Sequence, residues 1–408
     1  MRSHPHPYRM MASRLLKNTF GIRFGFELGA APVVQVNMRG EPQRQPQFCT
    51  LINLETRIPK DHPLRVIKRH TDEVLRRLSP LWDALYADCG RPSIAPEQLL
   101  KARVLMALYS VRSERLFCEQ LEYNLLWMWF LDRELDEGAW DHSTFSQNQE
   151  RILCSEGAQL FFREVYQLSR ERRWTSDQHF SADGTLIESW ASLKSFVRKD
   201  GTDAAQRGSS SDDDPGNPTV DFKGEHRTND THQSRTDPEA VLYRKGKGKE
   251  AKLYFGTQVL MENRHGLCAE ITVHNPIERS ESAVAIEQLD SHCQMYAVEP
   301  QTVGGDKHYH NAAFVRACRD RQIKPHAALK KETEVDGLDD RTTIQSGYQI
   351  SQRIRKRAEE IFGWMKTVGG FRRSRYRGTD RTQAWAYFVA SAYNLVRMAK
   401  LEVVLASG

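Results

Sequence analysis

Residues Gln178 to Asp183, QHFSAD, mark the point where the hydrophobic pattern of this chain changes period. Phe180 and Ala182 alternate with polar neighbours, as in a strand, whereas the long region before them repeats at helical spacing. The alternation runs straight into Asp183-Gly184, so the stretch reads as a strand that delivers an acid at its centre or end. An Asp-Gly hairpin turn is the plain alternative.

Upstream, HPLRVIKRHTDEVLRRL from His62 carries apolar residues at 64, 67, 74, 75 and 78 and predicts a helix. Pro92 to Val111 predicts another, with Ser93 as its cap and Pro96 in the first turn, where a missing N–H costs little. Helices are expected at Ser113 to Asn124, followed by the aromatic patch Trp127, Trp129 and Phe130, and again at Ser143 to Cys154 and Gly157 to Ser169. The region 60–170 thus reads as an all-α bundle. Its helix-turn-helix spacing is a weak signal for base readout, because any bundle of short helices has it.

Downstream, residues 198–240 turn polar and rich in Gly, Ser and Asp, the composition of a long loop or insertion. AKLYFGTQVLMEN and GLCAEITVHN follow as two strands joined at Arg264-His265-Gly266. Then come a helix at Ser280 to His292, a strand at Gln301 to Gly305 that ends at Asp306, and a helix at Asn311 to Arg321. A short strand at Lys324 to Leu329 and a helix at Tyr348 to Lys366 complete the series. This order is ribonuclease-H-like, so the expected fold class is α/β, a mixed-sheet catalytic domain preceded by an all-α domain. In that topology one acid lies on the first strand, one at the end of the fourth and one on the last helix, and Asp183, Asp306 and Glu359 fall on those elements. A cap aspartate before the next helix is the alternative for Asp306 alone.

The third acid sits in SQRIRKRAEEIFGWMK, where Arg355, Glu359 and Lys366 follow the spacing R-x3-E-x6-K. At about 100° per residue the first step turns about 40° and the second falls about 20° short of two turns, so all three share a face. Ile350, Ile354, Ala358, Ile361 and Met365 form an apolar stripe beside it. Taken alone, the Arg/Glu pair also fits a solvated helix, worth about a few tenths of a kcal/mol.

With 408 residues, 27% charged, 39% hydrophobic and a formal charge of +6, the chain reads as a soluble, mildly basic protein of two to three domains. Between Arg341 and Arg377 ten Lys or Arg stand against only Glu359 and Glu360. Such a cluster fits phosphate-backbone binding, with a solvated basic face as the alternative. Seven scattered cysteines without a C-x-x-C pair argue against a disulfide framework or zinc ribbon and for reduced thiols in the cytosol. The longest apolar run, LLWMWFL at 125–131, is too short to span a bilayer, and the N-terminus lacks the pattern of a signal peptide. Gly246-Lys247-Gly248-Lys249 lacks P-loop spacing, so ATP use is not implied. His308 and His310 lack a third defined ligand, so no zinc site is assigned. Trp364 reads as core, with base stacking as the alternative.

On these residues the chain resembles the DDE transposases of bacterial insertion sequences, in the four/five superfamily. The likeness is carried by FSADGT with ESWASLKSF, YRKGKGKEAKL, GDK and SQRIRKRAEEIFGWMKTVGG, and covers roughly residues 48–400. The family signature Y-x2-R-x3-E-x6-K is matched at Arg355, Glu359 and Lys366, with Gln352 in the tyrosine position. Where relatives often read GDKGYD, this chain has Gly305-Asp306-Lys307-His308-Tyr309-His310.

The resemblance implies that Asp183, Asp306 and Glu359 are catalytic carboxylates holding Mg²⁺, with Mn²⁺ as substitute, since hard cations prefer oxygen. Two ions about 3.5 to 4 Å apart would be expected, Asp183 bridging both and Asp306 and Glu359 holding one each. Water would free a 3′-OH at the element end, and that 3′-OH would attack target DNA. Arg353, Arg355, Lys356, Arg357, Lys366, Arg372 and Arg373 are the expected DNA contacts. The implied partners are double-stranded DNA, as terminal inverted repeats and target, and a second copy in a homodimer on paired ends. No membrane association is expected, and the location would be the bacterial cytoplasm at the nucleoid.

The expected divisions are an extension at 1–47, an all-α DNA-binding domain at 48–172, a catalytic domain at 173–400 with its insertion at about 198–240, and a tail at 401–408. Relatives commonly begin near the position of Met38, which makes residues 1–37 an expected over-extension of the gene start. Two other readings stay open: a nuclease without strand transfer, and an inactive or domesticated transposase-derived DNA-binding protein.

Overall fold

The computed structural model describes residues 53–83, 93–154, 156–200, 221–222, 225–244, 246, 250–330, 334–336, 338 and 340–406. The expected N-terminal extension, Met38 and the centre of the polar insertion lie outside the described residues.

Before the first strand come α1 (Leu54–Arg57), α2 (Pro63–Asp83), α3 (Pro96–Leu108), α4 (Glu114–Leu121), α5 (Leu125–Phe130), α6 (His142–Cys154) and α7 (Gly157–Glu171). α3 starts at Pro96, but its cap is Ala95, without a side-chain bond, and not Ser93. Ser113 and Asn124 do cap α4 and α5, accepting from the N–H groups of Leu116 and Trp127. Every residue from Leu99 to Ala107 in α3 is buried, as expected of a helix enclosed by its neighbours. Its two buried cations are paired, Lys101 with Asp72 and Asp132, and Arg103 with Glu114. The aromatic patch is core: Trp127 stacks on Phe117, which stacks on Phe145.

The strands are β1 (His179–Glu188), β2 (Phe196–Arg198), β3 (Asp221–Phe222), β4 (Glu225–His226), β5 (His232–Ser234), β6 (Val241–Arg244), β7 (Ala251–Glu262), β8 (Cys268–His274), β9 (Thr302–Gly305) and β10 (Lys324–Ala327). The main sheet runs β10-β9-β1-β7, and β7 shares its outer edge between β6 and β8. β1, β9 and β10 are parallel, whereas β7 is antiparallel to β1 and the β7–β8 hairpin turns at Gly266, whose φ is +72°. A hairpin on one flank of the first strand and two parallel strands on the other is the ribonuclease-H-like arrangement. Asp183-Gly184 is no turn: β1 runs through both residues, pairing Asp183 with Val259 and Gly184 with Gln258. Short strands that the composition of the insertion hides also form, β2 with β5 and β3 with β4.

The remaining helices are α8 (Glu281–Tyr296), α9 (Ala312–Asp320), α10 (Asp340–Thr343), α11 (Ser346–Ile354), α12 (Arg357–Thr367) and α13 (Thr379–Ala406). The single helix expected from Tyr348 to Lys366 is thus two. At the junction the N–H groups of Ala358 and Glu359 bond three residues back, to Arg355 and Lys356, in place of four. The apolar stripe divides with it: Ala358, Ile361 and Met365 are fully buried, but Ile350 is 45% exposed. α11 instead meets the sheet through Ser351, fully buried, and through Gln352 and Tyr348, whose side chains donate to the carbonyls of His326 and Ala327.

α13 buries Trp385, Ala386, Phe388, Val389, Leu395 and Met398 in the same core as α3, α7 and the sheet. It also satisfies the edge of β8. Asn394 accepts from the Cys268 N–H and donates to the Cys268 carbonyl, and Gln383 accepts from Val273 N–H and donates to the Ile271 carbonyl. Two side-chain amides thereby replace the missing neighbour strand. The helix includes residues 401–406, where Glu402 pairs with His70 of α2 at 2.9 Å.

Candidate active site

Because β1 and β9 are adjacent and parallel, their C-terminal ends open on the same side of the sheet. β9 pairs with β1 only from His179 to Ser181, leaving the β1 edge free at Asp183 and Gly184, and Asp306 follows directly on the last residue of β9. Register, more than loop conformation, therefore sets the two acids side by side.

The Gly304-Gly305 pair explains how that end is held. A Cβ on Gly304 would lie 3.0 Å from Ser351 Oγ, and one on Gly305 would lie 2.7 Å from the Tyr309 ring. α11 and the 3-10 turn Lys307–Tyr309 can each press against bare backbone, which fixes the position of Asp306. Its Oδ1 accepts from the His308 N–H at 2.7 Å, and its Oδ2 lies 3.1 Å from His308 Nδ1. Tyr309, fully buried, accepts from Gln258 Nε2 at 2.5 Å.

The electrostatics show that the acids share one region. Burial first, then the charges of Asp306 and Glu281, push Asp183 up to about 6, against the opposing pull of the Gly184 N–H and Arg355. Glu281, the first residue of α8, is also raised, by burial and by Asp306, with His308 opposing. Asp183 and Asp306 therefore lie within electrostatic reach of an acid that the pattern of the sequence does not single out. The available signals were the Ser280 cap before Glu281 and a glycine inside a well-paired strand.

Glu359 stands exposed in the first turn of α12. Among the described residues no three His, Cys, Asp or Glu side chains come close enough together to hold a metal ion.

The basic residues divide by partner. Arg355 acts electrostatically on Asp183 and is held through its Nε by Gln352 Oε1 at 3.2 Å, so the residue in the tyrosine position of the signature orients this arginine. Lys366 donates to Thr185 Oγ1 on β1. Arg357 staples the β7–β8 hairpin through the carbonyls of Asn263 and Arg264. Arg373 donates to the Ser189 and Trp190 carbonyls and lies 5.2 Å over the Trp190 ring, which is 52% exposed. Glu188 at the end of β1 bonds the backbone of Arg372 and Ser374, tying this basic segment to the strand that carries Asp183. Arg353, Lys356 and Arg372 are exposed. Trp364 packs edge-on against Tyr393, consistent with core.

Residues 52–151 match a family model described as Transposase domain (DUF772), and residues 225–395 match the Transposase DDE domain. The second span contains Asp306 and Glu359 and begins after Asp183. The chain belongs to the DDE transposases, of the insertion-sequence kind. No curated protein matches it. Among solved structures, a piggyBac transposase synaptic complex with hairpin DNA is similar at 10% identity and a TM-score of 0.39, over 85% of this chain and 76% of that one. A Mos1 transposase paired-end complex with the left transposon end is similar at 12% identity and a TM-score of 0.18, over 73% and 88%. Likeness at that level is slight, and the ribonuclease-H-like assignment rests on strand order and the domain match. No helix among the described residues is long and apolar enough to cross a membrane.

Proposed function

We propose that this transposase cleaves DNA at the ends of its own element and joins the freed ends to target DNA, using a divalent cation held by Asp183, Asp306 and Glu359. The observation that carries the reading is the juxtaposition of Asp183 and Asp306 at the ends of neighbouring parallel strands, close enough for one charge to raise the proton affinity of the other. Two carboxylates at the ends of neighbouring strands offer oxygen ligands that fit a hard cation such as Mg²⁺, with Mn²⁺ as substitute. Bound there, such a cation supplies neutralisation of charge on the attacking and leaving oxygens.

The protein groups do the rest. Arg355, oriented by Gln352, and Lys366, anchored at Thr185, flank Asp183 and hold the phosphate against it. Glu359, between them in sequence and exposed in the first turn of α12, is the third carboxylate of this reading. In the first step water attacks phosphorus and the P–O3′ bond breaks, leaving a 3′-OH and a 5′-phosphate. In the second, that 3′-OH attacks a target phosphorus and displaces another 3′ oxygen, so no bond to the protein forms. The all-α region, 48–172, would bind the terminal repeats, residues 173–400 would carry the chemistry, and two copies would act on paired ends. Arg353, Lys356 and Arg372, free on the surface beside α12 and β1, serve the DNA backbone, while Arg357 and Arg373 act mainly by holding the hairpin and the end of β1.

The test is incubation of the protein with DNA carrying the gene's own flanking sequences and a target plasmid. Nicks at the element boundary followed by joined product support the reading. Nicks without joining favour a nuclease, and binding without nicks an inactive descendant.

A further inference from the structure

We propose that Glu281 is a fourth carboxylate of this centre, reaching the open edge of β1 from the α8 face of the sheet, and that residue 184 is glycine in order to admit it. The proposal rests on the metal-dependent reading above and adds to it a residue outside the R-x3-E-x6-K pattern.

The case begins with Gly184. Its backbone is ordinary strand, paired to Gln258, and it is not among the glycines with positive φ, so conformation does not demand glycine here. Space does. A Cβ at this position would lie 2.7 Å from both Cδ and Oε1 of Glu281 and 2.9 Å from Gln258 Oε1. Real side chains do not approach so closely, so the carboxyl group sits against bare backbone next to Asp183. Because side chains alternate along a strand, Asp183 projects to the opposite face, and the two acids flank the free edge of β1 while Asp306 closes the gap at the end of β9.

Gln258 supplies an independent indication of a ligand. It is fully buried, its Nε2 is engaged by Tyr309, and its Oε1 has no hydrogen-bond partner although it points at the same space as Glu281. A buried amide oxygen without a partner and a carboxylate facing one space are satisfied by a cation or by water that a cation orders. An acid in the first turn of a helix is favourable in itself. That reading explains neither the half-burial of Glu281 beside two other acids nor the bare glycine beneath it.

Two consequences follow. Removing the Glu281 charge should weaken divalent-cation binding by about ten-fold, the scale seen when groups around a metal site are altered. It should also raise the melting temperature of the cation-free protein by relieving repulsion. Gly184→Ala, by expelling the same carboxylate, should weaken binding comparably, and the double variant should bind no more weakly than either single one.

The experiment is Mn²⁺ titration of the full chain, read by the paramagnetic signal of free Mn²⁺ and by thermal unfolding, for wild type, Glu281→Gln, Gly184→Ala, their combination and Asp306→Asn. The expected result is ten-fold weaker binding and a higher cation-free Tm for Glu281→Gln, without further loss in the double variant. If Glu281→Gln binds Mn²⁺ like wild type while Asp306→Asn does not, this proposal is overturned and the metal-dependent reading stands. If wild type itself binds no Mn²⁺, both are overturned. Should Gly184→Ala fail to fold, Glu281→Gln against Asp306→Asn decides alone.

Discussion

Lys366 on α12 donates to the hydroxyl of Thr185, two positions beyond Asp183 on β1 and therefore on the same face of the sheet. A cation held beside the acid by a neutral hydroxyl is well placed for a phosphate. Lys366→Ala is expected to weaken DNA binding uniformly across sequences and to reduce the salt slope by about 1. Binding isotherms at several salt concentrations check this; an unchanged slope would assign Lys366 to packing.

Asp183 gives a pH prediction whose sign follows from its raised value. The folded state holds the proton up to about pH 6, whereas the ordinary value is 3.8, so the cation-free protein loses stability as pH rises between these values and the loss is complete above pH 6. Asp183→Asn should therefore stabilise the cation-free protein above pH 6, by about 1 to 3 kcal/mol at roughly 1.4 kcal/mol per unit. Melting temperatures against pH for the two proteins would show it as a gap that opens through this window. Glu270, pushed up to about 7 by burial, contributes to both curves and cancels in the difference.

Gln352 donates to the His326 carbonyl and accepts from Arg355. Gln352→Ala should cost about 1 to 2 kcal/mol of stability through the lost hydrogen bonds. It should reduce cleavage more than DNA affinity, because Arg355 loses its orientation while keeping its charge. Parallel loss of both would show that Arg355 acts only as a binding contact.

Phe388 on α13 lies against Phe161 of α7 and Trp385, inside the core shared by the helical region and the sheet. Phe388→Ala is expected to destabilise by about 3 to 5 kcal/mol. Urea unfolding followed by tryptophan fluorescence and by circular dichroism should then shift as one transition. Two separated transitions would mean that the helical region and the sheet fold independently.

The sequence was legible where one local period carried the information. Alternation at 178–183, the hairpin around Gly266 and the strand ending at Asp306 place two acids, whereas Arg355 and Lys366, expected on one helix, fall on either side of a break, and only Lys366 on α12 is bonded to β1. The break between α11 and α12 was not legible, because Arg355, Lys356 and Arg357 are all good helix formers. Tertiary anchors, Arg357 on the hairpin carbonyls and Gln352 on β10, accompany the division. α13 escaped notice because AWAYFVASAYNLVRM has little polar contrast around the helix, the mark of a segment enclosed by both regions. Glu281 is one acid on a helix end until the fold lays it on Gly184.

The most direct test of the central claim is Mg²⁺-dependent nicking of DNA bearing the gene's own flanking ends by wild type, Asp306→Asn and Glu359→Gln, with DNA binding measured on the same samples. The account predicts boundary nicks by wild type, loss of at least about a hundred-fold in both variants, as when transition-state charge stabilisation is removed, and retained binding. Nicking by either variant at the wild-type rate would contradict it.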